Sequence, residues 1–270
     1  LPYLVVVGAL NADGTKSSYS STGSNIWVSA PGGEYGYNSS NVGSGLVAKA
    51  YKPAMMTVDQ SGCSQGYVKS GVNGVNSFNN AGNHSSNSSC NYTSNFNGTS
   101  SAAPVTSGVV ALMLEANSAL TWRDVKHILA TTSTQVDASK SDISYGGRVW
   151  EPAWLTNGAG HKFHNWYGFG RVDASAAVAA AKSYTTGSLG TFVTTSYQSS
   201  GTVNLTIPDG NNSGVTSTIN VSGSNTIEAL QIKLNVTHAY SGDLAVELTS
   251  PAGTTSVLLT PFNSFLSGDN

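Results

Sequence analysis

The sequence predicts an α/β domain followed by an all-β module, and three observations carry that expectation. Short apolar runs bounded by Gly, Pro and Asn open the chain, and residues 100–182 then place apolar side chains at helical spacing. From Val203 onward the spacing drops to a period of two. The size fits: 270 residues hold one large domain or two ordinary ones, and a 39% hydrophobic share supplies a core.

Taken in order, Leu4-Val5-Val6-Val7 reads as a buried strand, and Ile26-Trp27-Val28 reads as a second, stopped by Ala30-Pro31-Gly32-Gly33. Residues 60–98 read as a long polar loop with almost no apolar periodicity, and a loop of that length usually has a function or a staple. Pro104 suits the first turn of a helix whose apolar positions are Val105, Val109, Leu112, Met113 and Ala116, with Asn117 and Ser118 ending it. Thr121 and Asp124 form a capping box for the next helix, whose apolar face is Val125, Ile128 and Leu129. A third helix over 174–182 is nearly all alanine, which implies close packing. Residues 183–202 read as a linker. Strands are expected at 203–207, 227–234, 244–248 and 257–259, separated by turns such as Pro208-Asp209-Gly210 and Pro251-Ala252-Gly253. That is the pattern of a sandwich or jelly roll with too few strands to close.

Composition excludes some functions. Charged residues are only 10% and the formal net charge is -2, which argues against a dedicated nucleic-acid binder, since that would need a basic face. No apolar run reaches the ~20 residues that cross a bilayer. Leu1 opens directly into a strand-like run, without the charged region of a signal peptide. Cys63 and Cys90, if bridged, close a loop of about 28 residues, a constraint of roughly 3–4 kcal/mol. The alternative is two free thiols, a liability in so polar a loop, so a disulfide and a secreted protein are expected.

The chemistry concentrates at Asn97-Gly98-Thr99-Ser100-Ser101-Ala102-Ala103-Pro104, which runs straight into the first helix. A serine there meets free backbone N–H groups and the positive end of the helix dipole, which stabilise negative charge developing on an attacked carbonyl. Small neighbours let a substrate backbone approach. Read locally, an ordinary serine cap is the commoner explanation.

The segment Gly98-Thr99-Ser100-Ser101-Ala102-Ala103-Pro104 resembles the nucleophile motif Gly-Thr-Ser-x-Ala-x-Pro of subtilisin-like serine proteases. Val7-Gly8-Ala9 and Tyr19-Ser20-Ser21-Thr22-Gly23 leading to Ala30-Pro31-Gly32 resemble two strands that precede it in that family. Leu114-Glu115-Ala116-Asn117, Leu120 to Val125, Trp154-Leu155-Thr156-Asn157 and Tyr167 to Ala174 are similar to the kexin/furin branch. Residues 241–254, Ser-Gly-Asp-Leu-Ala-Val-Glu-Leu-Thr-Ser-Pro-Ala-Gly-Thr, resemble the P domain that follows the protease domain in that branch.

The resemblance implies residues 1–182 as the C-terminal portion of a subtilisin-like domain, its sheet mainly parallel with helices on both faces. It implies 183–202 as a linker and 203–270 as a partial P domain. It implies a secreted serine endopeptidase working through a Ser-His-Asp triad with Ser100 as nucleophile. In the family the aspartate, the histidine and the oxyanion asparagine lie N-terminal to the matched segment, so this chain alone is expected to be inactive. Expected partners are a protein or peptide substrate, the missing N-terminal part of the same enzyme, and a propeptide or chaperone. His84, His127, His161, His164 and His238 lack the family's His-Gly-Thr setting, Asp173 is expected to hold its turn, and Asp59 is a loop residue without a defined role. The branch places a calcium-binding glutamate where Ser21 stands, which weakens that site and any preference for basic residues. Calcium elsewhere is implied by the resemblance only, with no ligands assignable.

Two other readings compete. Gly62-Cys63-Ser64-Gln65-Gly66 fits a nucleophile elbow, but the following Val68 to Gly74 cannot sustain the helix an elbow needs. A non-catalytic extracellular adhesion or carbohydrate-binding protein would leave Ser100 as a mere cap.

Overall fold

A computed structural model describes residues 2–37, 52–223 and 225–261. Strands β1 (Val7–Leu10) and β2 (Val28–Pro31) pair in parallel, with Val7 opposite Val28 and Leu10 opposite Pro31. Both begin later than the apolar runs suggested, because pairing and not hydrophobicity sets the boundary. The carbonyls of Pro2 and Leu4 are taken by the Lys126 ammonium (2.9 and 3.0 Å), and Leu4 itself is exposed.

Strands β3 (Met55–Val58) and β4 (Tyr92–Phe96) form an antiparallel ribbon at the foot of the polar segment expected as a featureless loop. Asparagine side chains organise the intervening residues. The Asn87 amide donates to the carbonyls of Phe78 (3.1 Å) and Tyr92 (2.8 Å), and its oxygen accepts from the Tyr92 N–H (3.1 Å). Asn79 accepts from the Ser94 N–H at 2.9 Å. The expected Cys63–Cys90 disulfide is present.

Helix α1 (Thr99–Ala116) starts earlier than expected, which puts Pro104 inside the helix and not in its first turn. The missing N–H of Pro104 leaves the Ser100 carbonyl without its i+4 helical partner. Asn117 ends the helix. Helix α2 (Trp122–Thr132) has the expected capping box, with Asp124 accepting from the Thr121 N–H at 2.9 Å. Strands β5 (Ile143–Tyr145) and β6 (Arg148–Glu151) form a hairpin, as do β7 (Leu155–Thr156) and β8 (Lys162–Phe163). Helix α3 (Ala174–Ser183) is capped by Asp173, which accepts from the Ala176 N–H at 2.9 Å.

The main core joins Val28 to Val109 and Met113 of α1, Val125, Ile128 and Leu129 of α2, and Ala177 and Ala181 of α3. The alanines let α3 approach closely, and the Asn117 amide ties the two helices by donating to the Ala181 carbonyl (3.1 Å). On the strand pair, Ala9 and Ala30 meet Ala102 of α1 on one face. The opposite face is covered by the Trp166–Tyr167 segment against Leu10 and Val136, with the Ser29 hydroxyl donating to the Tyr167 carbonyl (3.2 Å).

In the C-terminal part, β9 (Val246–Thr249) and β10 (Thr255–Leu259) pair antiparallel. The strands expected at 203–207 and 227–234 are not formed, and Leu205, Ile227, Leu230 and Leu234 are exposed. Alternation alone does not make a sheet: three or more paired strands with a covered face are needed for stability. Polar contacts join this part to the rest. Asn165 donates to the buried Val257 carbonyl (3.0 Å), Arg148 pairs with Glu247, and Arg123 pairs with Glu228 while donating to the carbonyls of Leu189 (3.0 Å) and Gly190 (2.7 Å).

Candidate active site

Ser100 is the second residue of α1, and its side chain is exposed. Gly98 precedes the helix at φ 100°, a backbone conformation that glycine tolerates and side chains resist. The chain turns sharply there, and the Ser101 N–H closes onto the Gly98 carbonyl at 2.9 Å. No acidic side chain occupies the first turn of α1, so the positive end of the helix is not neutralised locally. Ser101 and Ala102 are buried and anchor the turn from below.

Tyr19 locks this turn to the strands. Its hydroxyl donates to the Gly33 carbonyl (2.6 Å) and accepts from the Gly98 N–H (2.8 Å). Burial raises the pKa of the phenol above its ordinary value, so it stays protonated and able to donate. Gly32 completes the junction: a Cβ there would lie 2.6 Å from the Ala9 Cβ, 3.0 Å from the Tyr19 oxygen and 3.1 Å from the Gly98 carbonyl.

Ser100 borders a cleft of ≈ 730 Å³ that runs along the β3–β4 ribbon. Asp59, which the sequence left without a role, lies in its wall. Its carboxylate accepts from the N–H groups of Gln60 (2.8 Å), Tyr67 (2.9 Å) and Val68 (2.8 Å). Desolvation pushes this acid up, but the N–H groups of Val68, Tyr67 and Gln60 outweigh it and hold it below the usual carboxylate value. Tyr19 and Asp59 are the two residues that sequence reasoning missed.

The structure brings no histidine to this cleft among its described lining residues. His84 accepts from the Ser86 N–H (3.3 Å), and His127 lies on α2 beside Tyr184. His164 is buried, accepts from the Trp166 N–H (3.0 Å), and is pushed down to about 4, chiefly by burial. Asp173 caps α3, as noted. The Gly62 to Gly66 segment sits in turns beside the disulfide, without the strand and helix of an elbow. Ser21 is exposed and carries no charge, and no three His, Cys, Asp or Glu side chains gather as a metal site among the described residues.

Known proteins resemble this chain along most of its length. The subtilase family matches residues 1–170, and the proprotein convertase P-domain matches residues 227–269. The Aeromonas extracellular serine protease of Aeromonas sobria is 39% identical over 97% of this chain, which spans 41% of that protein. Human proprotein convertase subtilisin/kexin type 5 is 38% identical over 62% of this chain and 8% of its own length. The crystal structure of the A. sobria serine protease in complex with the chaperone ORF2 superposes with a TM-score of 0.77, at 37% identity, over 96% of this chain and 42% of that one.

Proposed function

Since the chain belongs to the subtilase family, we propose that it is the nucleophile-bearing part of a secreted serine endopeptidase of the kexin type, with Ser100 attacking the substrate carbonyl. The observation that carries this reading is the exposed Ser100 hydroxyl at the mouth of α1, opening onto a cleft. In acyl transfer the hydroxyl oxygen bonds to the carbonyl carbon while its proton passes to a histidine, which then returns it to the departing amine. The acyl-enzyme is next released by water. This chain contributes the nucleophile and the unneutralised helix end that favours the oxyanion. The histidine, its orienting aspartate and the oxyanion asparagine come from polypeptide outside this chain, which is inactive without them.

We assign residues 1–182 to the catalytic domain, 183–202 to a linker and 203–270 to part of a P domain. The exposed side of α1 supports the first assignment: Val105 and Leu112 lie along one edge of it and Leu114 along the other, on a helix already buried along Val109 and Met113. A helix apolar on both sides belongs in an interior, so this face receives the remainder of the catalytic domain. The disulfide and the extracellular relative support secretion. The substrate is a protein or peptide, and a propeptide or a chaperone, as crystallised with the A. sobria protease, is the expected folding partner. Subtilases commonly bind calcium. At Ser21 a neutral hydroxyl stands where a carboxylate would bind that ion more strongly.

Ser100→Ala in the full-length protein should lower turnover by at least about 10³-fold and leave melting unchanged. A fluorophosphonate should tag Ser100. Substantial residual hydrolysis, or a tag on another residue, contradicts the assignment.

A further inference from the structure

We infer that Glu34 is a positioning residue for the nucleophile: its buried carboxylate fixes Ser18, and through the adjoining Tyr19 it fixes the turn that presents Ser100. This role rests on Ser100 being the nucleophile, since only then does the placement of that turn set a reaction rate.

Glu34 follows β2 closely and is only 1% exposed. Taking a carboxylate out of water is costly unless its oxygens are hydrogen-bonded. Both oxygens here go to one residue, 16 positions earlier in the chain. Oε1 accepts from the Ser18 N–H at 2.7 Å, and Oε2 accepts from the Ser18 hydroxyl at 2.8 Å. Hydrogen bonds to a carboxylate are short and about twice as strong as neutral ones. Glu34 is sealed from solvent and is not among the residues lining the Ser100 cleft, so it acts on the site from behind.

Residues 17–20 need such an anchor. The Ser17 N–H donates to the Ala9 carbonyl (3.0 Å), and the Ser20 hydroxyl accepts from the Ala9 N–H (2.9 Å). Both ties to β1 meet at one residue, which leaves Ser18 and Tyr19 between them free to rock about that point. Two consecutive residues grip them from the other side. The Gly33 carbonyl accepts from the Tyr19 hydroxyl (2.6 Å), and Glu34 holds Ser18. The grip is itself fixed: the Gly33 N–H donates to the Leu10 carbonyl (3.0 Å), and the Glu34 N–H donates to the Pro53 carbonyl (2.9 Å).

From Tyr19 the constraint passes to the nucleophile. The phenol oxygen accepts from the Gly98 N–H at 2.8 Å, two residues before Ser100. Glu34 also acts on this phenol through space. Burial is the main reason that Tyr19 stays protonated, and the nearby negative charge of Glu34 pushes the same way. The hydroxyl therefore keeps its proton for Gly33 and its lone pair for Gly98.

The test uses the full-length active enzyme. Glu34→Met keeps the length of the side chain and offers no strong acceptor, so kcat should fall about 10-fold with KM within about twofold. The rate of fluorophosphonate labelling at Ser100 should fall with it. The amide of Glu34→Gln can still accept from the Ser18 N–H and donate to its hydroxyl, so this variant should recover to within about threefold of the wild-type kcat. The decisive measurement is the double variant with Tyr19→Phe. A residue that acts through Tyr19 adds less than about twofold to the loss that Tyr19→Phe causes alone, whereas independent effects multiply. Should Glu34→Met fail to fold, Ser18→Ala takes its place in the same cycle; it removes one of the two bonds from a half-buried residue and should lower kcat about fivefold. Multiplying losses, an unchanged kcat or labelling rate, or a Glu34→Gln variant as slow as Glu34→Met overturns the positioning role while Ser100 stays labelled. Absence of label at Ser100 in an active enzyme overturns the nucleophile assignment, and the positioning role with it.

Discussion

Replacing Tyr19 with phenylalanine removes a single oxygen atom, and the structure states what that atom does. It donates to the Gly33 carbonyl at 2.6 Å and accepts from the Gly98 N–H at 2.8 Å, joining the end of β2 to the turn before Ser100. In the variant both backbone groups lose their partner. An orphaned buried polar group costs about 1–3 kcal/mol, and since Tyr19 is only half-buried, water recovers part of it, leaving roughly 2 kcal/mol for the pair. For a domain of this size that lowers Tm by about 4–8 °C. The kinetic effect should be larger than the stability effect suggests. Gly98 holds a φ of 100°, two residues before the attacking oxygen, and a displacement of about 1 Å at a reacting atom can cost 10²-fold. Since Tyr19 is not among the residues lining the cleft, the expected signature in the full-length enzyme is a kcat lowered by about 10- to 100-fold with KM within about twofold. The rate of fluorophosphonate labelling should fall in parallel, because that reagent reports the position of the serine without a peptide. A lower Tm with unchanged kcat and labelling would refute the positioning argument and leave Tyr19 a merely structural tyrosine.

Two further expectations follow from named groups. The Cys63–Cys90 bridge spans a sequence separation of 27, so reduction should remove roughly 3–4 kcal/mol of constraint and loosen the Tyr67 loop; unchanged melting under reductant would count against this. His164 is pushed down to about 4 from 6.5 by burial, with the Lys140 charge adding and Asp137 opposing. The unfolded chain therefore takes up this proton near pH 6.5 while the folded one refuses it until about 4, so stability is full above 6.5 and falls by roughly 3 kcal/mol as pH drops to 4. Glu151, raised by its own burial, offsets part of that loss because its neutral form is favoured in the fold. Denaturant melts of the wild type and His164→Phe across this range separate the two, and an equal slope in both would clear His164.

The helices were legible in the sequence because their causes are local. Thr121 and Asp124 form the box that starts α2, Asn117 ends α1, and the alanines of α3 announce close contact, all within a few residues of one another. Strands were less legible, since Leu4 belongs to an apolar run but not to the ladder. Strand β4 was invisible: Tyr-Thr-Ser-Asn-Phe shows no apolar alternation, and it is held by Asn79 and Asn87, which lie outside it. At the site, Ser100 stood out through its motif, whereas Tyr19 reaches Gly98 across 79 positions and Asp59 reaches Val68 across a turn that only Gly66 permits. Hydrogen bonds of that span leave no periodic trace. The period-two pattern at 227–234 shows the converse, an intact local signal without the paired neighbours that would make it a strand.

The outer face of α1 links folding to catalysis on the proposed reading. Met113 and Val109 hold the helix against β1, β2 and α3, whereas Val105, Leu112 and Leu114 face outward beside the small Gly108 and Ala111, with Glu115 the one charge in that stretch. Val105, Leu112 and Leu114 are still 37%, 49% and 38% exposed, and burying that remainder is worth about 2–4 kcal/mol in all, at about 1.5–3 kcal/mol for complete burial of one side chain. That gain is available only when the polypeptide bringing the histidine and aspartate docks on the helix that carries Ser100. The event that completes the core would then also complete the triad. A nucleophile already fixed by Tyr19 and Gly98 need not rearrange when its base arrives, so activity should appear with the same cooperativity as the burial of Leu112, and a Leu112→Asp variant should lose both together.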